Sequence, residues 1–85
     1  MRKFYIKRLQ SIHGKPKTVY IKRLINHLDQ SKFFPTDSLK IATLFTESGI
    51  KEFQLLGALP NIEYTVVEVD QECKTLNEFT LESFN

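Results

Sequence analysis

Glycine and proline residues divide this chain into short apolar stretches, and this division constrains the fold more than any other feature. The interruptions fall at Gly14, Pro16, Pro35, Gly49, Gly57 and Pro60. These residues tend to end regular structure, and no stretch of the chain is both long enough and apolar enough to cross a bilayer. The sequence therefore predicts short strands, at most a short helix, and no membrane segment.

The chain has 85 residues and a single cysteine, so it has room for one small core and cannot form an internal disulfide. Small cores are only marginally stable, and Cys73 alone supplies neither a bridge nor a multi-thiolate zinc site. Pairing of two chains is the remaining way to enlarge the core, so we expect a homodimer. The basic N-terminus leads into Lys7 and Arg8 rather than an apolar run, which is unlike a secretory signal and favours a soluble, cytoplasmic protein.

Alternation of apolar and polar residues predicts strands at Lys3–Leu9, Thr18–Ile21, Leu39–Phe45, Ile50–Leu56 and Asn61–Asp70. An exposed loop at Ser11–Lys17 would join the first two strands into a hairpin. The turn of a second hairpin would fall at Glu47-Ser48-Gly49, because glycine tolerates positive φ.

A helix is predicted from Lys22, since Leu24, Ile25 and Leu28 have helical spacing. It would be about two turns long and would end before Pro35, which disfavours helical geometry in the preceding residue. Residues 75–84 are ambiguous: they alternate as a strand does, yet Thr75 and Glu78 also fit a helix capping box.

Charge is distributed unevenly along the chain. Residues 1–32 hold nine Lys or Arg against Asp29 alone, whereas residues 58–85 hold six Asp or Glu against Lys74 alone. A basic half attracts polyanions by Coulomb attraction and counterion release, and an acidic end suits a basic partner. The alternative is that both are solvated faces that attract each other within the fold.

The order of predicted elements over residues 3–56 resembles the AbrB-like swapped-hairpin family, which includes bacterial transition-state regulators and MazE-type antitoxins. The segment Val19–Ile21 with Leu24 and Leu28 is similar to the family's strand and helix. Thr36–Leu39 is similar to its entry into the second hairpin, and Ser48-Gly49 is similar to its turn. The resemblance implies an α+β, mostly β fold: a swapped-hairpin dimeric barrel with one short helix per chain and a C-terminal β or β/α extension.

Two regions follow from this resemblance. Residues 1–57 would form the basic nucleic-acid-binding domain, and residues 58–85 an acidic extension that is either part of the same core or a partner-binding segment. The implied function is sequence-selective binding of duplex DNA by a homodimer that represses transcription, with an antitoxin role as a subsidiary interpretation. Arginine suits bidentate contacts to bases, so Arg8 and Arg23 would read bases while the lysines contact phosphates. The candidate nucleic-acid-binding residues are Lys7, Arg8, Lys15, Lys17, Lys22 and Arg23.

Two other binding functions remain open. Tyr5 and Tyr20, with Phe4, can provide a stacking platform for single-stranded nucleic acid; the alternative is core packing for Phe4 and a mixed interface position for the tyrosines. The acidic end can instead bind and inhibit a partner enzyme, such as the toxic ribonuclease that MazE-type proteins block. Its anchors would be Tyr64, Val66, Phe79, Leu81 and Phe84, unless these complete the chain's own core.

Catalysis is not expected from this sequence. No nucleophile lies beside a base, no Gly-rich loop is suited to phosphate, and Ser11 with His13 lacks a third, orienting group. His13 and His27 have no Cys, Asp or Glu at a spacing that supplies tetrahedral coordination. We therefore expect a binding protein with neither a cofactor nor a metal.

Overall fold

The computed structural model describes residues 1–84, and in it five strands and one helix follow each other along the chain. The elements are β1 (Lys3–Ile12), β2 (Lys15–Ile25), β3 (Ser31–Thr36), α1 (Glu47–Leu56), β4 (Thr65–Val69) and β5 (Thr75–Thr80). The strands form one antiparallel sheet in the order β3-β2-β1-β4-β5. The prediction of a mostly β fold with one short helix is confirmed, although the helix lies elsewhere in the chain. No helix of residues 1–84 is long and apolar enough to cross a membrane.

One face of the sheet packs against α1 and carries the core. Alternate residues of the strands point to this face, because successive side chains of a strand point to opposite sides. Phe4, Ile6, Ile21 and Val66 therefore belong to one buried cluster with Phe53 of α1. Rings pack edge to face within this cluster, as between Phe53 and Tyr64 or between Phe4 and Phe84.

A two-residue turn joins β1 and β2. His13 and Gly14 both have positive φ, at 52° and 77°, as a type I′ turn requires. Such turns match the right-handed twist of a hairpin, so pairing continues up to Ile12 and Lys15 on either side of the turn. The predicted loop at Ser11–Lys17 is therefore wrong, because both strands extend into it.

The predicted helix from Lys22 is also wrong, because β2 continues to Ile25 and pairs with β3. The side chain of Asn26 stabilises the reversal of chain direction that follows β2. Its side-chain oxygen accepts hydrogen bonds from the N–H groups of Leu28 and Gln30, at 2.8 and 3.1 Å, which forms a tight turn. Leu24, Ile25 and Leu28, whose spacing favoured a helix, are exposed.

Prolines lie on the outer side of the sheet at β3 and at the start of β2. Ile21 accepts a hydrogen bond from Thr43, on the side away from β3, so Ile21 and its β3 partner Pro35 exchange no hydrogen bond. The nitrogen of Pro35 therefore faces outward at an edge, where the missing N–H costs nothing. Pro16 of β2 pairs with Ser11 in the same way and also faces outward.

The second predicted hairpin, over residues 39–56, is replaced by a loop and α1. Thr46 caps the helix, since its hydroxyl accepts a hydrogen bond from the N–H of Gly49 at 3.2 Å. Gly49 lies in the first helical turn rather than in a β-turn, and Ile50 and Phe53 are buried against the sheet. Phe45, just before the cap, exchanges two backbone hydrogen bonds with Phe4.

Residues 58–84 belong to the same sheet and core as the rest of the chain. β4 pairs with β1, and β5 pairs with β4, so the C-terminal strands extend the N-terminal hairpin. Of the two interpretations of residues 75–84, the strand is the one observed. In two of the segments that carried the family resemblance, the predicted elements are wrong: Leu24 lies in a strand rather than a helix, and Ser48-Gly49 lies in a helix rather than a turn.

Candidate nucleic-acid interface

A two-stranded arm extends beyond the rest of the sheet. β4 pairs with β1 only as far as Lys7, and β3 pairs with β2 only from Tyr20 onward. Residues 8–19 therefore pair with each other and with no neighbouring strand. We call this segment the arm, and its backbone edges are open on both sides.

The two faces of the arm differ in charge. Arg8 is paired with Val19, and Gln10 with Lys17, so these side chains lie on the face that continues the core side of the sheet. This basic face comprises Arg8, Gln10, Lys15 and Lys17. The opposite face carries the neutral residues Leu9, Ser11, Pro16 and Thr18.

The arm contains no Asp or Glu. Within residues 1–84, Arg8 and Lys15 have no carboxylate at ion-pair distance, and the only such partner of Lys17 is Asp37, whose carboxylate oxygen lies 3.2 Å from Nζ. Both side chains of that pair are about half exposed or more, so solvent screens their attraction. An incoming phosphate can therefore replace Asp37 at little cost.

Lys7 and Lys22 lie on the other face of the sheet, so the structure does not bring them together with the basic face of the arm. Nζ of Lys7 is 3.2 Å from a carboxylate oxygen of Glu78 on β5. Tyr5 and Tyr20 share this face, and their rings meet edge to face with centroids 5.7 Å apart. Both tyrosines are partly exposed.

Arg23 faces α1 and is held within the chain. Its guanidinium lies 3.4 Å from the carboxylate of Glu52 and 5.6 Å from the centre of the Phe45 ring. The backbone N–H of Arg23 donates to the hydroxyl of Thr43 at 2.7 Å. These contacts attach α1 and the preceding loop to β2, and they place Arg23 away from the arm.

The five residues predicted as partner-binding anchors pack in or against the core of this chain. Tyr64, Val66, Leu81 and Phe84 are buried in the core, and Phe79 packs against it. The hydroxyl of Tyr64 accepts a hydrogen bond from the N–H of Leu59 at 3.1 Å, so this hydroxyl has its partner within the same chain. Of the two interpretations of these residues, their positions agree with the one in which they complete the chain's own core.

Two features of this region were not anticipated from the sequence. Gln10 belongs to the basic face, and its position two residues after Arg8 in a strand is the signal that would have found it. A notch of about 580 Å³ lies beside the arm, where β4 stops. Its walls include Arg8 and Leu9 of the arm, Glu63 in the loop before β4, and Thr65.

His13 lies in the turn at the tip of the arm, and His27 lies in the turn between β2 and β3; both are exposed. Residues 1–84 contain no group of three or more His, Cys, Asp or Glu arranged to hold a metal ion. Comparison of the chain with protein-family models, with curated proteins and with solved structures finds no match in any of the three.

Proposed function

We propose that this protein binds duplex DNA through the basic face of the arm and acts as a regulator of transcription. The proposal is supported by one observation above all. Arg8, Gln10, Lys15 and Lys17 share one face of a ribbon that extends beyond its sheet and contains no carboxylate.

The side chains of this face suit two kinds of contact. Lys15 and Lys17 present ammonium groups to phosphates, which supply most of the affinity for DNA. Arg8 can contact guanine or phosphate with two parallel N–H donors, and the amide of Gln10 can both donate to and accept from adenine. Residues two apart in a strand lie about 6.6 Å apart, so Arg8 and Gln10 can reach neighbouring groups along a groove.

Duplex binding is tested by fluorescence anisotropy of labelled DNA over a series of salt concentrations. The affinity should fall linearly with the logarithm of salt concentration. Lys15→Ala and Lys17→Ala should each weaken binding and reduce the slope by about one, because each removes one phosphate contact. Arg8→Ala should weaken binding and reduce discrimination between sequences.

Lys51→Ala is the matched control, since Lys51 is an exposed lysine on α1, away from the arm. It should leave both the affinity and the slope unchanged. Duplex binding that is absent at low salt, or that responds to Lys51→Ala as strongly as to Lys17→Ala, contradicts the proposal.

A second candidate function is binding of single-stranded nucleic acid on the opposite face of the sheet. It is favoured by the Tyr5 and Tyr20 pair, which lies on the same face as Lys7 and Lys22. Next to Tyr5 is a largely apolar cleft of about 490 Å³, which Leu39 and Val69 help to line. Aromatic rings of this kind stack with bases of any sequence.

The two candidates respond differently to substitution. Single-strand binding predicts that Tyr5→Ala or Tyr20→Ala weakens binding of an oligonucleotide by roughly 1–3 kcal/mol per stacked base, whereas Arg8→Ala has little effect. Duplex binding through the arm predicts the reverse. Measuring all three variants on single-stranded and duplex DNA of the same sequence decides between them.

A further inference from the structure

The direction of the backbone hydrogen bonds shows which strand edges are open. Phe4 exchanges both of its backbone hydrogen bonds with Phe45, on the side away from β4. Backbone groups of successive residues in a strand point to opposite sides, so the even-numbered residues of β1 point toward β2 and the odd-numbered ones toward β4. Beyond Lys7, where β4 has ended, the N–H and C=O groups of Leu9 and Ser11 therefore point into the notch with no strand beside them.

β5 offers a second open edge. Because Tyr5 and Lys7 bond to β4 through Val67 and Thr65, the even-numbered residues of β4 bond to β5. Their partners include Phe79 and Asn77, so the backbone groups of Glu78 and Thr80 point outward. This edge contains no proline, unlike the outer edges of β3 and the arm.

The two open edges have matching shapes. The part of β1 beyond Lys7 has five residues, Arg8–Ile12, and β5 has six. Both β4 and β5 stop at the level of Lys7, since Thr65 pairs with Lys7 on one side and with Thr80 on the other. The sheet thus has a step: no strand lies beside the arm on this side, residues 61–63 of the loop before β4 border the gap, and a two-strand hairpin of about the same height lies next to it.

We infer that two copies of this chain form a symmetric dimer in which each copy inserts its β4–β5 hairpin into the notch of the other. A two-fold axis perpendicular to the sheet places the second copy's β5 beside the arm of the first, and the first copy's β5 beside the arm of the second. The strand directions agree with this arrangement. β5 is parallel to β1 within one chain, so a half-turn makes the second copy's β5 antiparallel to the arm it meets.

Charge favours this occupant. The arm carries Arg8, Lys15 and Lys17 without an acid, whereas residues 70–84 carry Asp70, Glu72, Glu78 and Glu82 against Lys74. Pairing one arm with another arm would bring like charges together, but pairing an arm with the β4–β5 hairpin places a basic segment beside an acidic one. The nearest acids to the tip of the arm would be Asp70 and Glu72 of the β4–β5 turn, whereas Glu78 lies on the opposite face of the sheet from Arg8. The axis also keeps both basic arm faces on the same side of the joined sheet. The inference does not rest on DNA binding and is tested without nucleic acid.

The first test removes a single open N–H. Ser11→Pro deletes a donor that makes no hydrogen bond within residues 1–84, so the monomer should remain folded. Thr18→Pro is the matched control, because the N–H of Thr18 faces the opposite, outer edge of the same arm. Analytical ultracentrifugation of the unmodified chain should give twice the 10.0 kDa chain mass. Ser11→Pro should raise the dimer dissociation constant at least tenfold, and Thr18→Pro should not change it.

A chain that sediments at 10.0 kDa over the whole accessible concentration range overturns the inference. So does an equal effect of the two proline variants, once circular dichroism has shown both to be folded. Failure of DNA binding in a protein that still dimerises counts against the proposed function alone.

A second test uses the native cysteine as a reporter. Cys73 lies in the turn between β4 and β5, at the opposite end of β1 from the tip of the arm, so Cys73 and His13 are far apart within one chain. In the inferred dimer the second copy's Cys73 lies close to the tip of the first arm. His13→Cys should therefore form a disulfide-linked dimer under mild oxidation, visible on a non-reducing gel.

Lys51→Cys is the control for this cross-link, since it places an exposed thiol on α1, outside the notch. It should give far less linked dimer than His13→Cys at the same protein concentration. Equal cross-linking of the two variants, or none with His13→Cys, contradicts the arrangement.

Discussion

At the scale of single residues, Arg2 links three parts of the chain. Its guanidinium lies 3.0 Å from a carboxylate oxygen of Glu68 on β4 and 3.4 Å from one of Glu47 at the start of α1. The side chain of Asn77 on β5 also donates to Glu68, at 3.2 Å. Glu68 has little exposure to solvent, and these donors satisfy its carboxylate. The hydrogen bonds from Arg2 and then from Asn77 lower the pKa of Glu68 below its ordinary value near 4.5.

A carboxylate with a lowered pKa stabilises the folded state above the ordinary pKa, and this contribution is lost as the pH falls through the folded-state pKa. Glu68→Gln should therefore lower the midpoint of thermal unfolding at pH 7, and the difference from the unmodified chain should shrink as the pH falls below 4.5. Thermal unfolding measured from pH 7 down to pH 2.5 checks this. Glu82→Gln, at an exposed site, is the control, and equal midpoints at pH 7 for Glu68→Gln and the unmodified chain contradict the prediction.

At the scale of elements, α1 shows how a cap determines where a helix begins. Thr46 has extended backbone geometry, accepts from the N–H of Gly49, and is followed by Glu47 in the first turn, where an acidic residue interacts favourably with the helix dipole. At the other end, Gly57 leaves room for its neighbours: a Cβ atom there would lie 2.6 Å from side-chain atoms of Phe33 and Phe53. The cap at Thr46 and the close packing at Gly57 therefore determine where the helix begins and ends over the core.

Removal of the cap should have a measurable cost. Thr46→Ala should destabilise the chain by about 1 kcal/mol, because the N–H of Gly49 loses its acceptor. In a domain of this size that corresponds to a decrease in the unfolding midpoint of about 4–8 °C. Thr46→Ser keeps the hydroxyl and should recover most of the loss. An unfolding midpoint that does not change in Thr46→Ala would show that the cap contributes nothing to stability.

The same elements show what could be predicted from the sequence. Alternation predicted β1, the centre of β2, β4 and, as one of two interpretations, β5. In β1 and β2 the alternation reflects one face on the core, whereas β4 is buried on both faces and β5 is mostly exposed. It failed at residues 22–28, where the spacing of Leu24, Ile25 and Leu28 imitates a helical stripe although all three side chains are exposed. It also failed at residues 50–56, which were interpreted as a strand. Ile50 and Phe53, three residues apart, would lie on opposite faces of a strand but lie on one side of a helix, and the cap at Thr46 is a second signal for the helix.

The candidate site was predictable to a similar degree. Arg8, Lys15 and Lys17 were predicted from charge, expected exposure and the family resemblance, and they do share one face. Charge could not separate them from Arg23, because the partner of Arg23 is Glu52, on a helix that the sequence pattern had indicated as a strand. Nor could it show the notch, which exists only because β4 ends at the level of Lys7.

At the scale of the whole molecule, the N- and C-terminal regions form one core. β4 occupies a central position of the sheet beside β1, and residues after position 57 contribute Tyr64, Val66, Leu81 and Phe84 to the buried cluster. The ring of Phe84 packs edge to face against Phe4, near the other end of the chain. The acidic segment is therefore needed for the fold, whatever else it binds.

A chain ending at residue 57 should fail to fold. Phe4 and Ile6 would lose their neighbours on β4, and β1 would lose a paired strand over Lys3–Lys7. The amide proton signals of this truncated chain should collapse into the narrow range of an unfolded peptide in a two-dimensional NMR spectrum. Well-dispersed signals would show instead that residues 1–57 are an independent domain.

The prolines at the outer edge of the sheet have a consequence for the protein in concentrated solution. Pro16 and Pro35 each interrupt the row of donors on that side, and an endless cross-β stack needs an uninterrupted row. The β3 side should therefore not seed amyloid fibres, even though Phe34 beside it is exposed. Replacing Pro35 with threonine would restore a backbone donor at the β3 edge and allow this edge to act as a template for fibrils.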